Sequence, residues 1–109
     1  MFRLIIATSE SFHDYAFLSA TVDEWVALHS LESGYSGIQV LICPKTDPNG
    51  LILRYACRRG YPIKSLRSMQ LLLKNANGAA IFWDGKDKVF NRLILQVEKR
   101  LVKLLIVFG

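Results

Sequence analysis

Two cysteines, two histidines and three prolines are all that this 109-residue chain holds of those residue types. Cys43 and Cys57 fit no metal-ligand spacing, so the expectation is a pair of reduced, largely buried thiols in a cytoplasmic protein with no metal and no cofactor. His13 and His29 fall at the start and end of one predicted helix, too far apart to act together. No apolar run approaches the roughly 20 residues of a membrane helix; Leu104 to Phe108 is strand-sized. Met1-Phe2-Arg3 followed by Leu-Ile-Ile-Ala is too short an apolar segment for a leader. With Glu10 and Asp14 close behind, it is expected to be a first strand. Repeats, low-complexity tracts and interdomain linkers are missing, so residues 1–109 read as one domain.

What the chain does have is apolar residues. Hydrophobic types make up 51% of it, enough for a core without disulfide or metal staples. The net charge of +5 admits an acidic partner without requiring one. The stretch from Gly78 to Lys86 organises the rest. A small apolar run ends in Phe82-Trp83 and then an Asp-Gly turn, as a buried parallel strand does on leaving the sheet at its carboxyl edge. In open α/β sheets that edge holds the ligand crevice.

Around it, Phe2 to Ala7 reads as the first strand. A helix from Asp14 to about His29 carries Tyr15, Leu18, Val22, Trp25 and Val26 at helical spacing, with Ser11 or Asp14 as cap. Glu32-Ser33-Gly34 is then a loop. Ile38 to Cys43 is the second strand, and two prolines with Asn49-Gly50 forbid regular structure after it. Leu51 to Arg59 is a second helix stopped by Gly60. Residues 61–66 form a short edge strand, and residues 68–75 a short helix. Lys88 to Arg100 is the last helix, with Phe90, Leu93, Ile94, Val97 and Leu101 on one face. Val102 to Phe108 is the fifth strand. The alternation predicts a Rossmann-like three-layer αβα sandwich with a mainly parallel five-stranded sheet in the order 3-2-1-4-5.

The loops after strands one, two and four should therefore meet. A phosphate cradle needs glycines and free N–H groups. The first loop has no glycine. The second has Pro44 and Pro48, and Asp47 puts a negative charge where a phosphate would sit. Ser9, Lys45, Thr46, Asp84 and Lys86 are the candidate ligand-lining residues. Asp84 is the best-placed acid, although the favoured reading is that its carboxylate closes the Asp-Gly turn by accepting from nearby backbone N–H groups. Glu10 can pair with Lys86, Ser9 has no evident base, and Cys43 has no partner that would make it a nucleophile. No catalytic residue is assigned. A basic face is expected from Arg54, Arg58, Arg92, Lys99 and Lys103, the last three close to one face of the final helix. Solvated helix faces look the same. Tyr35 and Tyr61 are the candidates for stacking on bases.

Several motifs together resemble the YspA-like family of the SLOG superfamily, Rossmann-like domains related to the lysine-decarboxylase-like phosphoribohydrolases. Leu4-Ile5-Ile6-Ala7 with Ser9 and Phe12-His13-Asp14-Tyr15 is similar to the family's opening strand and helix start. Glu24-Trp25-Val26, Arg54-Tyr55-Ala56, Arg59-Gly60 and Pro62 fit its first two helices and the exit from the second. Phe82-Trp83-Asp84-Gly85-Lys86 is the most specific match. The resemblance runs nearly end to end, and what it implies is a fold that binds nucleotides or nucleotide-derived ligands. The ligand motifs differ. Thr8 and Glu10 stand where the family has the glycine and arginine of Gly-Ser-Arg. Residues 43–49 replace its Gly-Gly-Ala-Arg-Gly-Ala-Asp signature. The segment with Ala-Gly-Pro and Arg-Asn is missing between Leu66 and Asn75, and Asp87-Lys88-Val89-Phe90 replaces Ser-x-Gly-Thr.

Three functions follow as expectations. The first is a non-catalytic SLOG-like protein that binds another macromolecule, a protein foremost. This would suit a phage or mobile-element product acting, by analogy, on a bacterial defence complex. The second is a nucleotide-derived ligand binder or phosphoribohydrolase-like enzyme with a rebuilt crevice. The third is nucleic-acid binding through the basic face, with steep salt dependence. No membrane is expected as partner. A homodimer is an option, because the short element between Leu66 and Asn75 leaves one sheet face thinly covered.

Overall fold

The computed structural model describes residues 2–33, 37–100 and 103–108, without the side chains of residues 29–33, 69, 89, 103, 104 and 108. Nine elements alternate along it: β1 (Phe2–Thr8), α1 (Tyr15–Ser33), β2 (Ile38–Ile42), α2 (Leu51–Arg59), β3 (Ile63–Ser65), α3 (Met69–Asn75), β4 (Gly78–Trp83), α4 (Lys88–Lys99) and β5 (Lys103–Phe108). The strands form one sheet in the order β3-β2-β1-β4-β5, every neighbouring pair parallel. This is the Rossmann-like α/β architecture and strand order expected from the sequence. The order reverses between β1 and β4, which pair from Leu4 with Gly78 to Thr8 with Phe82.

β1 and β4 are central and buried on both faces, so they read as unbroken apolar runs. Their side chains alternate between two cores. Phe2, Leu4, Ile6, Ala80 and Phe82 pack under α1 and α2, against Leu18, Val22, Trp25, Ile52 and Tyr55. Ile5, Ala7, Ala79, Ile81 and Trp83 pack on the other face against Leu72 and Leu73 of α3 and Phe90, Leu93, Ile94 and Val97 of α4. Gly78 is dictated by close approach. A Cβ there would lie 2.6 Å from the Trp25 ring and 2.9 Å from that of Phe2.

Several element ends differ from the sequence reading, chiefly those of α1 and α4. α1 continues to Ser33 rather than ending near His29, so Glu32 and Ser33 are helical, not loop. Residues 29–33 contain neither glycine nor proline, so the sequence offers nothing that would stop the helix before Ser33. α4 ends at Lys99, and Lys103 opens β5 opposite Gly78 instead of extending the helix. Leu101, expected on the α4 face, and Tyr35, expected as a stacking residue, lie outside the described residues. Gly60 closes α2 in the left-handed conformation, φ 70°, as a C-terminal glycine does. No helix among the described residues is long and apolar enough to cross a membrane.

Candidate functional site

The carboxyl edge at the β1/β4 switch is where this fold keeps a ligand. Bonds within the chain close part of it. As β1 ends, the Thr8 N–H donates to the Thr46 carbonyl at 2.8 Å and the Ser9 N–H to the Phe82 carbonyl at 2.8 Å. Thr46 N–H donates to Cys43 O, and Phe12 N–H to Ser9 O, both at 3.0 Å. Asn49 reaches over from the β2 loop, and its Nδ2 donates to the carbonyls of Glu10 (3.1 Å) and Phe12 (3.0 Å). The first and second loops are therefore joined, and the N–H groups that would cradle an oxyanion already have acceptors.

The helix N-termini are closed in the same way. Asp14 Oδ1 accepts from Phe17 N–H at the start of α1 (3.0 Å). At α2 the N-cap is Gly50, φ 71°, which has no side chain to offer. Asp47 supplies the cap from three residues upstream, Oδ1 accepting from Ile52 N–H at 3.0 Å and Oδ2 from Leu53 N–H at 3.2 Å. Ser68 Oγ accepts from Leu71 N–H at α3 (3.3 Å), and Asp87 Oδ1 from Phe90 N–H at α4 (3.4 Å). At each helix a side chain of this chain takes one or two of the free donors, and three of these side chains are carboxylates complementary to the helix dipole.

Between the first and fourth loops a shallow hollow of about 400 Å³ is lined by Ser9, Glu10, Ser11, Asp84, Lys86 and Asp87. Asp84 Oδ1 accepts from the N–H groups of Lys86 (2.8 Å) and Asp87 (3.2 Å), while Oδ2 faces Ser11 Oγ at 3.4 Å and Ser11 Oγ lies 3.2 Å from Ser9 Oγ. The Lys86 N–H foremost, then the Asp87 N–H and the Ser11 hydroxyl, hold the Asp84 carboxyl below the usual aspartate range. Asp84 thus stays ionised and committed to its turn. Glu10, Asp84 and Asp87 place three carboxylates around one lysine, an arrangement that repels phosphate.

Of the five ligand-lining candidates, Ser9, Asp84 and Lys86 come together in this hollow. Thr46 does not. It is fully buried, its Oγ1 accepting from Cys43 N–H and donating to Cys43 O, both at 3.0 Å. Lys45 points instead to the boundary with a second site. The basic-face candidates also separate. Arg54 and Arg58 belong to α2 on one side of the sheet, with Arg54 stacked 4.2 Å over the Tyr15 ring and Arg58 at 5.7 Å. Arg92 and Lys99 belong to α4 on the other side, and Lys103 to β5. They do not form one face.

That second site was not visible in the sequence as a site. A pocket of about 410 Å³ at the end of β2 is lined by Cys43, Pro44, Lys45, Arg67, Ser68, Gln70, Arg92, Leu93 and Gln96. It continues between α3 and α4 into a hollow of about 690 Å³ lined by Ser68, Gln70, Leu71, Lys74, Gln96 and Arg100. The two share Ser68, Gln70 and Gln96, so they form one trough. Among the described residues five cations line it and no carboxylate does. Among the described residues none of the five makes an ion pair; the ion pair there joins Arg59 to Asp23 on α1, 2.6 Å apart on the far side of the sheet. The signal for the trough was the spacing: Arg92 and Gln96 on α4 and Gln70 and Lys74 on α3 each lie one helical turn apart, with Arg100 just past the end of α4 and Arg67 just before α3.

The described residues contain no group of three or more His, Cys, Asp or Glu placed to hold a metal ion. Both cysteines are free thiols; Cys43 is buried, but Cys57, expected to be buried too, is exposed, because its position on α2 turns away from the core that Ile52, Tyr55 and Ala56 face. No protein-family model, curated protein or solved structure matches this chain. The fold and these two sites define the class: a Rossmann-like α/β domain with a partly closed switch crevice and an open cationic trough beside it.

Proposed function

We propose that this chain is a non-catalytic binding domain that acts by engaging another macromolecule, with a protein as the partner. The observation that carries this reading is the partly closed switch crevice. Backbone N–H groups that a nucleotide fold turns toward phosphate are here taken by Thr46 O, Phe82 O and the Asp47 carboxylate. A nucleotide would have to displace those bonds and settle beside Glu10, Asp84 and Asp87. The side chains at the edge also supply no working set for group transfer. Asp84 is tied to its turn, Thr46 is buried and self-bonded, and Cys43 is buried. A resemblance to SLOG domains fits the same reading, as a scaffold kept while its ligand motifs changed. The suggestion that the partner belongs to a bacterial defence complex rests on that resemblance and is part of the proposal.

A panel of ATP, NAD, ADP-ribose and a cyclic dinucleotide tests it by thermal shift and calorimetry. A ligand present at 100 times its Kd stabilises a protein by about 2.7 kcal/mol. For 109 residues that corresponds to a rise of roughly 12 °C, given an unfolding entropy of about 2.1 cal/mol/K per residue. The expected shift is zero for every compound. Stoichiometric binding of any of them at the Ser9–Asp84 hollow overturns the proposal.

A further inference from the structure

We propose that the trough between α3 and α4 is the docking site for an extended acidic segment of the partner protein. This rests on the binding role above and names its surface and its chemistry. The trough is arranged in three tiers. Arg67 and Arg92, with Lys45, stand at the upper end; Gln70 and Gln96 in the middle; Lys74 and Arg100 at the lower end. On α4, Arg92 and Gln96 are one turn apart, and Arg100 follows four residues later, just past the helix end. At a rise of about 1.5 Å per residue, the two cationic ends are about 12 Å apart. An extended peptide covers that distance in about four residues. Carboxylates four residues apart then meet one cationic tier each, and the glutamine amides between them face the peptide backbone, which has an N–H and a C=O to offer at every residue.

Charge complementarity argues for an acidic occupant, since the five cations have no carboxylate partner in the trough. Length argues against a single small anion, which would engage one tier and leave the other idle. The walls argue for peptide over nucleic acid. Leu71 and Pro44 give apolar contact for a side chain, and among the described residues no aromatic ring lines the trough to stack a base. Leu71 is 42% exposed, an apolar side chain presented beside the cations. The Glu10 and Asp87 carboxylates lie around the corner with Lys45, in a small hollow of about 200 Å³, and limit how far an acidic segment extends past the upper tier.

The test uses rhodamine-labelled peptides in which two glutamate pairs, separated by leucine and serine, are set two, four or six residues apart. Anisotropy measures affinity and amide chemical shifts map the site. The expected result is tightest binding at a spacing of four, with shifts centred on Ser68, Gln70 and Gln96. Arg67→Glu with Arg92→Glu, or Lys74→Glu with Arg100→Glu, should each weaken it by about tenfold or more. Milder Arg→Gln and Lys→Gln variants, checked for an unchanged melting temperature, should weaken it by less. Absent binding, affinity independent of spacing, or variants that bind like the parent overturn the proposal. So does inorganic phosphate that displaces the peptide at millimolar concentration, and so does a twenty-nucleotide oligothymidylate that binds through these residues more tightly than the peptides. A nucleotide that shifts Ser9 and Asp84 instead overturns the binding role itself while leaving the peptide result to stand or fall separately.

Discussion

Asp47→Ala removes the carboxylate that closes α2 and so tests whether the chain itself closes part of the crevice. The side chain holds two N–H groups, Ile52 at 3.0 Å and Leu53 at 3.2 Å, in the absence of any cap from Gly50. Losing a helix cap costs about 0.5–2 kcal/mol, and the lost charge at the positive end of the dipole places this case in the upper half of that range, about 1–2 kcal/mol. With 109 residues the unfolding entropy is about 0.23 kcal/mol/K, so the melting temperature should fall by about 4–9 °C. Thermal unfolding followed by far-ultraviolet circular dichroism measures it. The substitution also empties the seat of an anion. The variant should therefore gain melting temperature in phosphate relative to chloride at equal ionic strength, and the parent should not. A fall of less than about 2 °C would refute the cap. A parent protein stabilised by phosphate as much as the variant would refute the claim that Asp47 excludes anions.

Gly78→Ala should destabilise the fold. The new methyl meets the Trp25 and Phe2 rings at 2.6 and 2.9 Å, an overpacking cost of about 1–3 kcal/mol against a gain of about 0.4–1 kcal/mol from a stiffer unfolded chain; chemical denaturation that shows no loss would contradict it. Acid should erode stability through Asp23, whose carboxyl is held below its usual range chiefly by the Arg59 guanidinium, with the Tyr55 hydroxyl also donating at 2.6 Å. Because the folded-state value is the lower one, this stabilisation is complete above the unfolded value near 4 and disappears as pH falls through the lowered folded value. Melting temperatures between pH 5 and 2 should therefore drop less steeply for Arg59→Gln than for the parent. Finally, a thiol reagent should modify one cysteine, Cys57, in the native protein and reach Cys43, 2% exposed, only on unfolding; mass mapping of the labelled peptides distinguishes the two.

The sheet was legible because parallel strands buried on both faces must be apolar throughout. Phe2 to Ala7 and Gly78 to Trp83 carry that signature, and the helices between them impose the strand order through right-handed crossovers. Helix ends were less so. The α1 end was expected near His29, but the helix runs on through Ser33, since residues 30–33 hold no glycine or proline and Leu31 and Glu32 favour helix. Asp47 was readable as a charge in an anion's place, since its position in the loop follows from sequence alone. Its bonds to Ile52 and Leu53 were not, because they depend on the left-handed turn at Gly50. The trough was hidden for a different reason. Lys45, Arg67 and Arg92 lie in three separate segments, and only the packing of α3 beside α4 over one sheet face brings them to a single opening. The same topology dispersed the expected basic face, since Arg54 and Arg92 sit on opposite sides of the sheet.

The two sites are linked by how this architecture spends its polar groups. A parallel α/β sheet directs four helix N-termini toward one edge, and in a nucleotide binder their N–H groups face the ligand. Here Asp14, Asp47, Ser68 and Asp87 each take one or two of those donors. The loops gain order, and fixed backbone recognition of phosphate is given up. What remains able to bind must use long side chains on helix surfaces. Lysine heads act there as point charges on flexible stems, and arginine forks can pair bidentately with a carboxylate. Binding through such groups weakens as ions screen it, with a screening length of about 8 Å at physiological salt, shorter than the roughly 12 Å between the tiers of the trough. Each tier then acts on its own carboxylate nearly independently of the other. Cooperation between them has to come from the connecting peptide, through the local concentration at which the second pair meets its tier once the first is seated. Spacing along the partner, more than its total charge, should set the affinity.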